Sequence, residues 1–155
     1  MEGSPFPTLT LAALEGGERA LSSAWEHGPA LILLGHGNCD TTRYTLPHVA
    51  RLRRERRAGT EVLTVLQDDA AAARAVLARA QAEDLQVVLE RSPWPLAQAL
   101  AATTVPTLYL VAQGGRIEAV SEGFSRADVE RFAEALGAPQ PFFAADAKVA
   151  ARRPG

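Results

Sequence analysis

Residues Ala30 to Pro47 read ALILLGHGNCDTTRYTLP, and the only cysteine of the chain, Cys39, stands where an apolar run stops and a helical pattern begins. Ala30 to Leu34 follows the breaker pair Gly28-Pro29 without a polar residue, which predicts a strand buried on both faces. Gly35 and Gly37 let the backbone turn. Asp40, Thr41 and Thr42 are residue types that cap a helix start, and Leu46, Val49 and Leu52 then form a narrow apolar stripe. Cys39 is therefore expected at a strand-to-helix corner. Unpaired N–H groups and the positive end of a helix dipole favour a thiolate at such a place.

Downstream, the helix is expected to run to about Ala58 and end at Gly59, bent at Pro47 where a backbone hydrogen bond is lost. Its last turns carry Arg51, Arg53, Arg54, Arg56 and Arg57, read as a solvated face that complements the dipole rather than as an anion site. Glu61 to Gln67 is continuously apolar enough for a second buried strand. Asp68 and Asp69 cap a helix to about Glu83 whose Ala73, Val76, Leu77 and Ala80 share a face. This strand-helix order favours a parallel pair with a right-handed crossover. Gln86 to Leu89 is a further short strand, and Ser92-Pro93-Trp94-Pro95 leads into a brief helix at Leu96 to Ala101. Leu108 to Val111 and Arg116 to Val120 form a hairpin, and Ser125 with Asp128 opens the last helix as a capping box, ending at Gly137.

Upstream, Leu9 to Leu14 and Ala20 to Leu21, joined through Glu15-Gly16-Gly17-Glu18, predict a small hairpin covering one end of the core. Ser22 to Trp25 reads as a helical turn with Trp25 as a packing residue. Met1 to Pro7 is expected to be a loose lead-in. The reading places one domain over residues 1–137 and a tail over 138–155, in which Phe142 and Phe143 are candidates to dock and the last residues fray.

Three of these features together resemble the thioredoxin-like superfamily, in particular its redoxin branch of TlpA-like thiol-disulfide oxidoreductases and alkyl hydroperoxide reductase type antioxidant proteins. They are the strand leading into the Cys39 corner, Pro47 eight residues later, and Thr104-Val105-Pro106-Thr107, which is similar to the family's cis-proline loop. LYLVAQGGRIEAVSEGF, from Leu108 to Phe124, resembles its closing hairpin. The resemblance spans roughly Thr8 to Gly137. It implies a three-layer α/β sandwich whose mixed sheet is ordered second, first, third, fourth among the core strands. It also implies a Val105-Pro106 cis bond beside Cys39, with Thr104, Val105, Pro106 and Thr107 as the substrate-binding loop.

The chain departs from the family's Cys-x-x-Cys pattern, since Cys39-Asp40-Thr41-Thr42 puts Thr42 where the resolving cysteine stands. A dithiol cycle cannot run within one chain. Leu33 occupies the place at which dithiol members often hold a buried acid. The peroxiredoxin pattern Pro-x-x-x-Thr-x-x-Cys fails at Ile32 and His36. The cysteine series is similar to the Cys-Gly-x-Thr of glutathione peroxidases, and Gln67 lies roughly where that family keeps a glutamine, but its Trp-Asn-Phe motif is absent. The resemblance implies Cys39 as the catalytic sulfur and Thr42 as a hydroxyl donor toward it, with His36 and Gln67 as tuning residues.

At 155 residues the chain fits one domain burying about two-thirds of its unfolded surface. A net charge of −2 offers no bulk attraction to nucleic acid or an anionic membrane, so neither is expected as a partner. One cysteine cannot close an internal disulfide, which suits a reducing compartment, and MEGSPFPTLT carries neither part of a secretory signal; the expected location is cytoplasmic. His36, Cys39 and His48 fall short of the four ligands of a structural zinc site, so no metal or other cofactor is expected. Gly35-x-Gly37 lacks the third glycine and the lysine of phosphate loops.

Two functions follow. In the first, Cys39 attacks a disulfide or peroxide, and an external low-molecular-weight thiol or a dithiol redox protein resolves the product. In the second, the chain is a non-enzymatic thioredoxin-like module that binds a peptide or protein, and Cys39 is the small apolar residue that a lone cysteine most often is.

Overall fold

The computed structural model describes residues 1–155. In chain order the elements are β1 (Thr10–Ala13), β2 (Glu18–Ala20), a 3-10 turn (Leu21–Trp25), β3 (Ala30–Gly35), α1 (Asp40–Glu55), β4 (Glu61–Leu66) and α2 (Ala70–Arg79). There follow β5 (Gln86–Leu89), α3 (Pro95–Leu100), β6 (Thr107–Val111), β7 (Ile117–Glu122), β8 (Phe124–Ser125), α4 (Arg126–Ala135) and β9 (Arg152–Arg153). Seven strands form one sheet in the order β2-β1-β5-β4-β3-β6-β7. β3, β4 and β5 are parallel, while β6 and β7 continue the sheet antiparallel on the other side of β3.

The pattern of side chains explains the layers. In β3, Leu31 and Leu33 face a core shared with Leu46, Val49 and Leu52 of α1, Val76 and Leu77 of α2, and Val129 and Phe132 of α4. Ile32 and Leu34 face the opposite core, with Phe6, Trp25, and Leu96 and Leu100 of α3. A strand covered on both faces must be apolar throughout, and every residue of β3 is buried. The fold is an α/β thioredoxin-like sandwich with helices on both faces, and β4-β3-β6-β7 is the expected order of second, first, third and fourth core strands.

Several sequence expectations need correction. Met1 to Pro7 is not loose: Phe6 is fully buried edge-on to Trp25 and Tyr109, and the Phe6 N–H donates to Gly115 O at 2.7 Å. The β1-β2 hairpin does not cap an end of the core but extends the sheet, because β1 pairs antiparallel with β5. α1 stops at Glu55, where Arg56 turns extended, and α2 stops at Arg79, before Gln81 takes a left-handed φ of 53°. The arginines at the end of α1 are anchored rather than merely solvated. Arg51 bonds Glu55 and Phe142 O, Arg54 pairs with Asp84, and Arg56 and Arg57 donate to carbonyls of Thr60 and Ala135. Ser125 caps α4 by accepting from Asp128 N, but the Asp128 carboxylate is spent on Ser121 and Arg131, so the reciprocal half of the capping box is missing.

The tail departs furthest from expectation. Phe142 and Phe143 are buried, and the Glu130 carboxylate accepts from both of their backbone N–H groups. Farther on, β9 pairs antiparallel with β8 instead of fraying. No helix is long and apolar enough to cross a membrane.

Candidate active site

Cys39 is the N-cap of α1, with φ −89° and ψ 122°, and it is half-buried. Asp40, Thr41 and Thr42 are thus the first turn of the helix and not its cap. Cys39 takes the cap position of this 16-residue helix itself, but its side chain makes no capping hydrogen bond to the helix N–H groups. The corner is tightened by Cys39 N donating to His36 O at 3.0 Å, and Arg43 braces it by donating to Gly37 O at 2.6 Å.

The Cys39 thiol donates to Val105 O at 3.3 Å, across a separation of 66 residues. This bond joins the two stretches that the sequence singled out. The Val105-Pro106 peptide bond is cis. Pro106 is buried and its carbonyl accepts from Gly123 N at 2.8 Å, which ties the loop to the segment between β7 and β8.

Thr42 is completely buried, and its hydroxyl accepts from His36 N at 3.3 Å rather than donating to the sulfur. Its methyl group lies where a side chain at position 35 would go: a Cβ on Gly35 would stand 2.8 Å from Thr42 Cγ2. The pair Gly35 and Thr42 therefore packs the corner behind Cys39. The His36 ring is likewise turned to the loop, its Nδ1 accepting from Asn38 N at 3.1 Å. Thr107 does not offer its backbone to a peptide, because it is paired in β6 to Leu34 on one side and Glu122 on the other, and its hydroxyl donates to Thr104 O at 2.7 Å. Thr104 and Val105 do face solvent-accessible space.

That space is a cleft of about 510 Å³ whose walls include Leu34, Gln67, Trp94, Gln98, Thr104 and Val105. Gln67 is a cleft residue and not a partner of the sulfur, since its Nε2 donates to Glu90 Oε2 at 2.9 Å. Glu90 is buried, and its other oxygen accepts from the backbone N–H groups of Leu96 and Ala97, so one carboxylate holds α3 and Gln67 together at the cleft wall. Trp94, 37% exposed and with a left-handed φ of 63°, stands at the rim. Sequence reasoning passed over Glu90 and Trp94, although a carboxylate after an apolar strand and six residues ahead of a helical leucine was a legible signal for the first.

His48 does not approach Cys39 as a ligand. Nine positions along α1, it packs against Tyr44, Phe124 and Phe143, where burial and the neighbouring Arg51 charge lower its pKa from the ordinary 6.5. Nowhere do three His, Cys, Asp or Glu side chains converge as a metal site would need. Gly37 N donates to the Asp68 carboxylate at 3.0 Å, so the loop that resembles a phosphate turn already holds an anion of the protein.

No protein-family model and no curated protein sequence matches the chain. Solved structures do match, and what they share with this chain is the fold; three of them, at 12–22% identity, are a thiol:disulfide interchange protein and two disulfide oxidoreductases. One is a putative thiol:disulfide interchange protein DsbE from Chlorobium tepidum, similar at 22% identity over 88% of this chain and 99% of that one, with a TM-score of 0.77. Another is the thioredoxin domain of a thiol-disulfide oxidoreductase from Bacteroides vulgatus, with 17% identity, coverage of 86% and 96%, and a TM-score of 0.74. A third is a secreted Mycobacterium tuberculosis disulfide oxidoreductase, with 12% identity, coverage of 83% and 96%, and a TM-score of 0.69.

Proposed function

We propose that the chain is a monothiol oxidoreductase that exchanges disulfides through Cys39. The observation that carries this reading is the position of the sulfur: it is a helix N-cap, partly open to solvent and held by Val105 O beside a cleft. In the reaction the Cys39 thiolate attacks one sulfur of a substrate disulfide. A Cys39–S–S–R bond forms, the substrate S–S bond breaks, and the other half leaves as a thiolate that takes up a proton. No second cysteine can resolve this product. An external thiolate, from a low-molecular-weight thiol or a dithiol redox protein, attacks the outer sulfur, regenerates the Cys39 thiolate and carries away the R group as a new disulfide. That requirement fits a reducing compartment, where such thiols are abundant.

The residues around the sulfur have separate duties. Val105 O positions the thiol, the Gly35–Thr42 packing sets the corner, and Leu33 leaves the strand beneath without an acid, so proton transfer runs through solvent. Exposure to glutathione disulfide is expected to add one glutathione to the full chain at Cys39, reversibly on adding thiol, and none to Cys39→Ser; an unmodified folded protein would rule the reading out.

The buried Thr42 side chain favours a second reading. With its hydroxyl committed to His36 N and no second sulfur present, the corner also suits a module that binds a peptide or protein without turnover. Cys39 that is alkylated readily but exchanges with no disulfide would select this reading.

A further inference from the structure

The tail reaches the proposed site. After the buried Phe142-Phe143 pair, Arg126 donates to the carbonyls of Ala144, Ala147 and Val149, and the Tyr44 hydroxyl accepts from Ala150 N at 2.9 Å. Arg152 and Arg153 then pair with Ser125 and Phe124, and the Arg153 guanidinium stacks 4.4 Å over the Tyr44 ring. Thr41 Oγ1, two residues from Cys39, donates to Pro154 O at 2.5 Å. Gly155 lies so close to the loop that a Cβ there would overlap Val105 O and stand 2.5 Å from Thr104 Cγ2. This is the same Val105 carbonyl that accepts the Cys39 thiol.

We infer that the Arg152–Gly155 strap restricts the exchange proposed above to low-molecular-weight disulfides and excludes cystines carried in an extended protein chain; the inference rests on the exchange reading. A cystine within a protein has backbone on both sides of its sulfur, and an extended backbone needs free edge groups to lie against. Next to Cys39 those groups belong to the β8 edge, which the strap pairs with, and the Val105 carbonyl, which takes the Cys39 thiol and has Gly155 packed against it. On the other side of Val105 the cleft is open, and its volume of about 510 Å³ lies within the range of about 300–1,000 Å³ usual for small ligands. Its walls suit a disulfide with amide-bearing arms. Leu34 and Ala97 supply apolar surface, while Gln67 and Gln98 use their Nε2 atoms on Glu90 and Pro93 O and leave their Oε1 atoms to accept from a ligand. A small disulfide can present its sulfurs from this cleft without crossing the strap. The exchange itself is the balanced pair of steps already given, with the external thiol as reductant.

The test measures the rate of mixed-disulfide formation at Cys39 with two probes, glutathione disulfide and oxidised insulin, in the full chain and in a chain lacking Arg152–Gly155. The full chain is expected to react with glutathione disulfide at least about tenfold faster than with insulin, relative to the rates of a free thiol with each. Deleting the strap raises the insulin rate about tenfold and leaves the glutathione disulfide rate within about twofold. Thr41→Val keeps all residues and removes only the Thr41–Pro154 bond, leaving the β8–β9 pairs and the Arg153 stacking in place, so it loosens the strap in part and raises the insulin rate in the same direction by about fivefold, less than the deletion does. Equal relative rates for both probes in the full chain overturn the inference, as does a deletion that accelerates both probes alike or neither. Cys39 that iodoacetamide alkylates but neither disulfide modifies, with or without the strap, overturns the exchange reading and this inference with it.

Discussion

Thr42 Oγ1 accepts the His36 N–H at 3.3 Å while its methyl packs against Gly35, so its contribution is to the shape of the corner and not to the charge on the sulfur. Thr42→Val keeps the methyl contact and orphans a backbone donor, and it is expected to cost about 1–2 kcal/mol of stability, read from the urea midpoint, while leaving the glutathione disulfide rate within about twofold. A sulfur at the same position has the opposite effect. Thr42→Cys supplies a resolving thiol three residues after Cys39, so the glutathione adduct gives way to an intramolecular disulfide, seen by mass analysis as the loss of two hydrogens. A persistent adduct in Thr42→Cys would show that the packed corner holds position 42 out of reach.

At the scale of elements, α1 joins the site to the tail, with Cys39 at its first cap and His48 in its third turn against Phe143. Burial, and then the Arg51 charge, lower the His48 pKa from 6.5, so the folded chain resists a proton that the unfolded chain accepts. The stabilisation from keeping this imidazole neutral is therefore complete above about 6.5 and is lost as pH falls from there toward the lowered value. Urea titrations of the full chain and of His48→Phe between about pH 7.5 and pH 5 check the sign: the full chain loses stability on acidification, and the variant loses less. Parallel pH dependences in the two proteins would mean that His48 takes up its proton equally well in the folded state. The Tyr109 hydroxyl, pushed up to about 12 by burial and then by Glu122, stays neutral throughout this range.

Over the whole molecule, the tail adds a layer that the sheet and helices do not need for their own pairing. It packs Phe142 and Phe143 against α1 and α4, fixed by Glu130, Arg51 and Arg126. Phe142→Ala empties a fully buried aromatic site and is expected to cost about 3 kcal/mol in a denaturant titration with a single transition. A loss under about 1 kcal/mol would mark the tail as a separately opening unit rather than part of the core.

The sequence alone determined the elements whose information is local. Short, largely apolar runs placed β3, β4 and β5, glycine and proline punctuated the corner and the closing hairpin, and the spacings of Pro47 and Pro106 from Cys39 carried the resemblance that ordered the sheet. Helix ends were less legible, because Arg56 and Gln81 leave the helical conformation for tertiary hydrogen bonds and turns that no periodicity announces. The direction of the Thr42 and His36 side chains, the alliance of Gln67 with Glu90 and the path of the tail were decided only by the tertiary structure. The Thr42 and His36 directions follow from how the corner folds back on itself, and the other ties depend on which distant group is nearest: Glu90 for Gln67, Val105 O for a thiol 66 residues away, Pro154 O for a threonine 113 residues away. The segment from Ala138 onward has no strand or helix period because its backbone hydrogen bonds go to side chains of α4 and α1 and to the short edge of β8, and such partners leave no repeat along the chain.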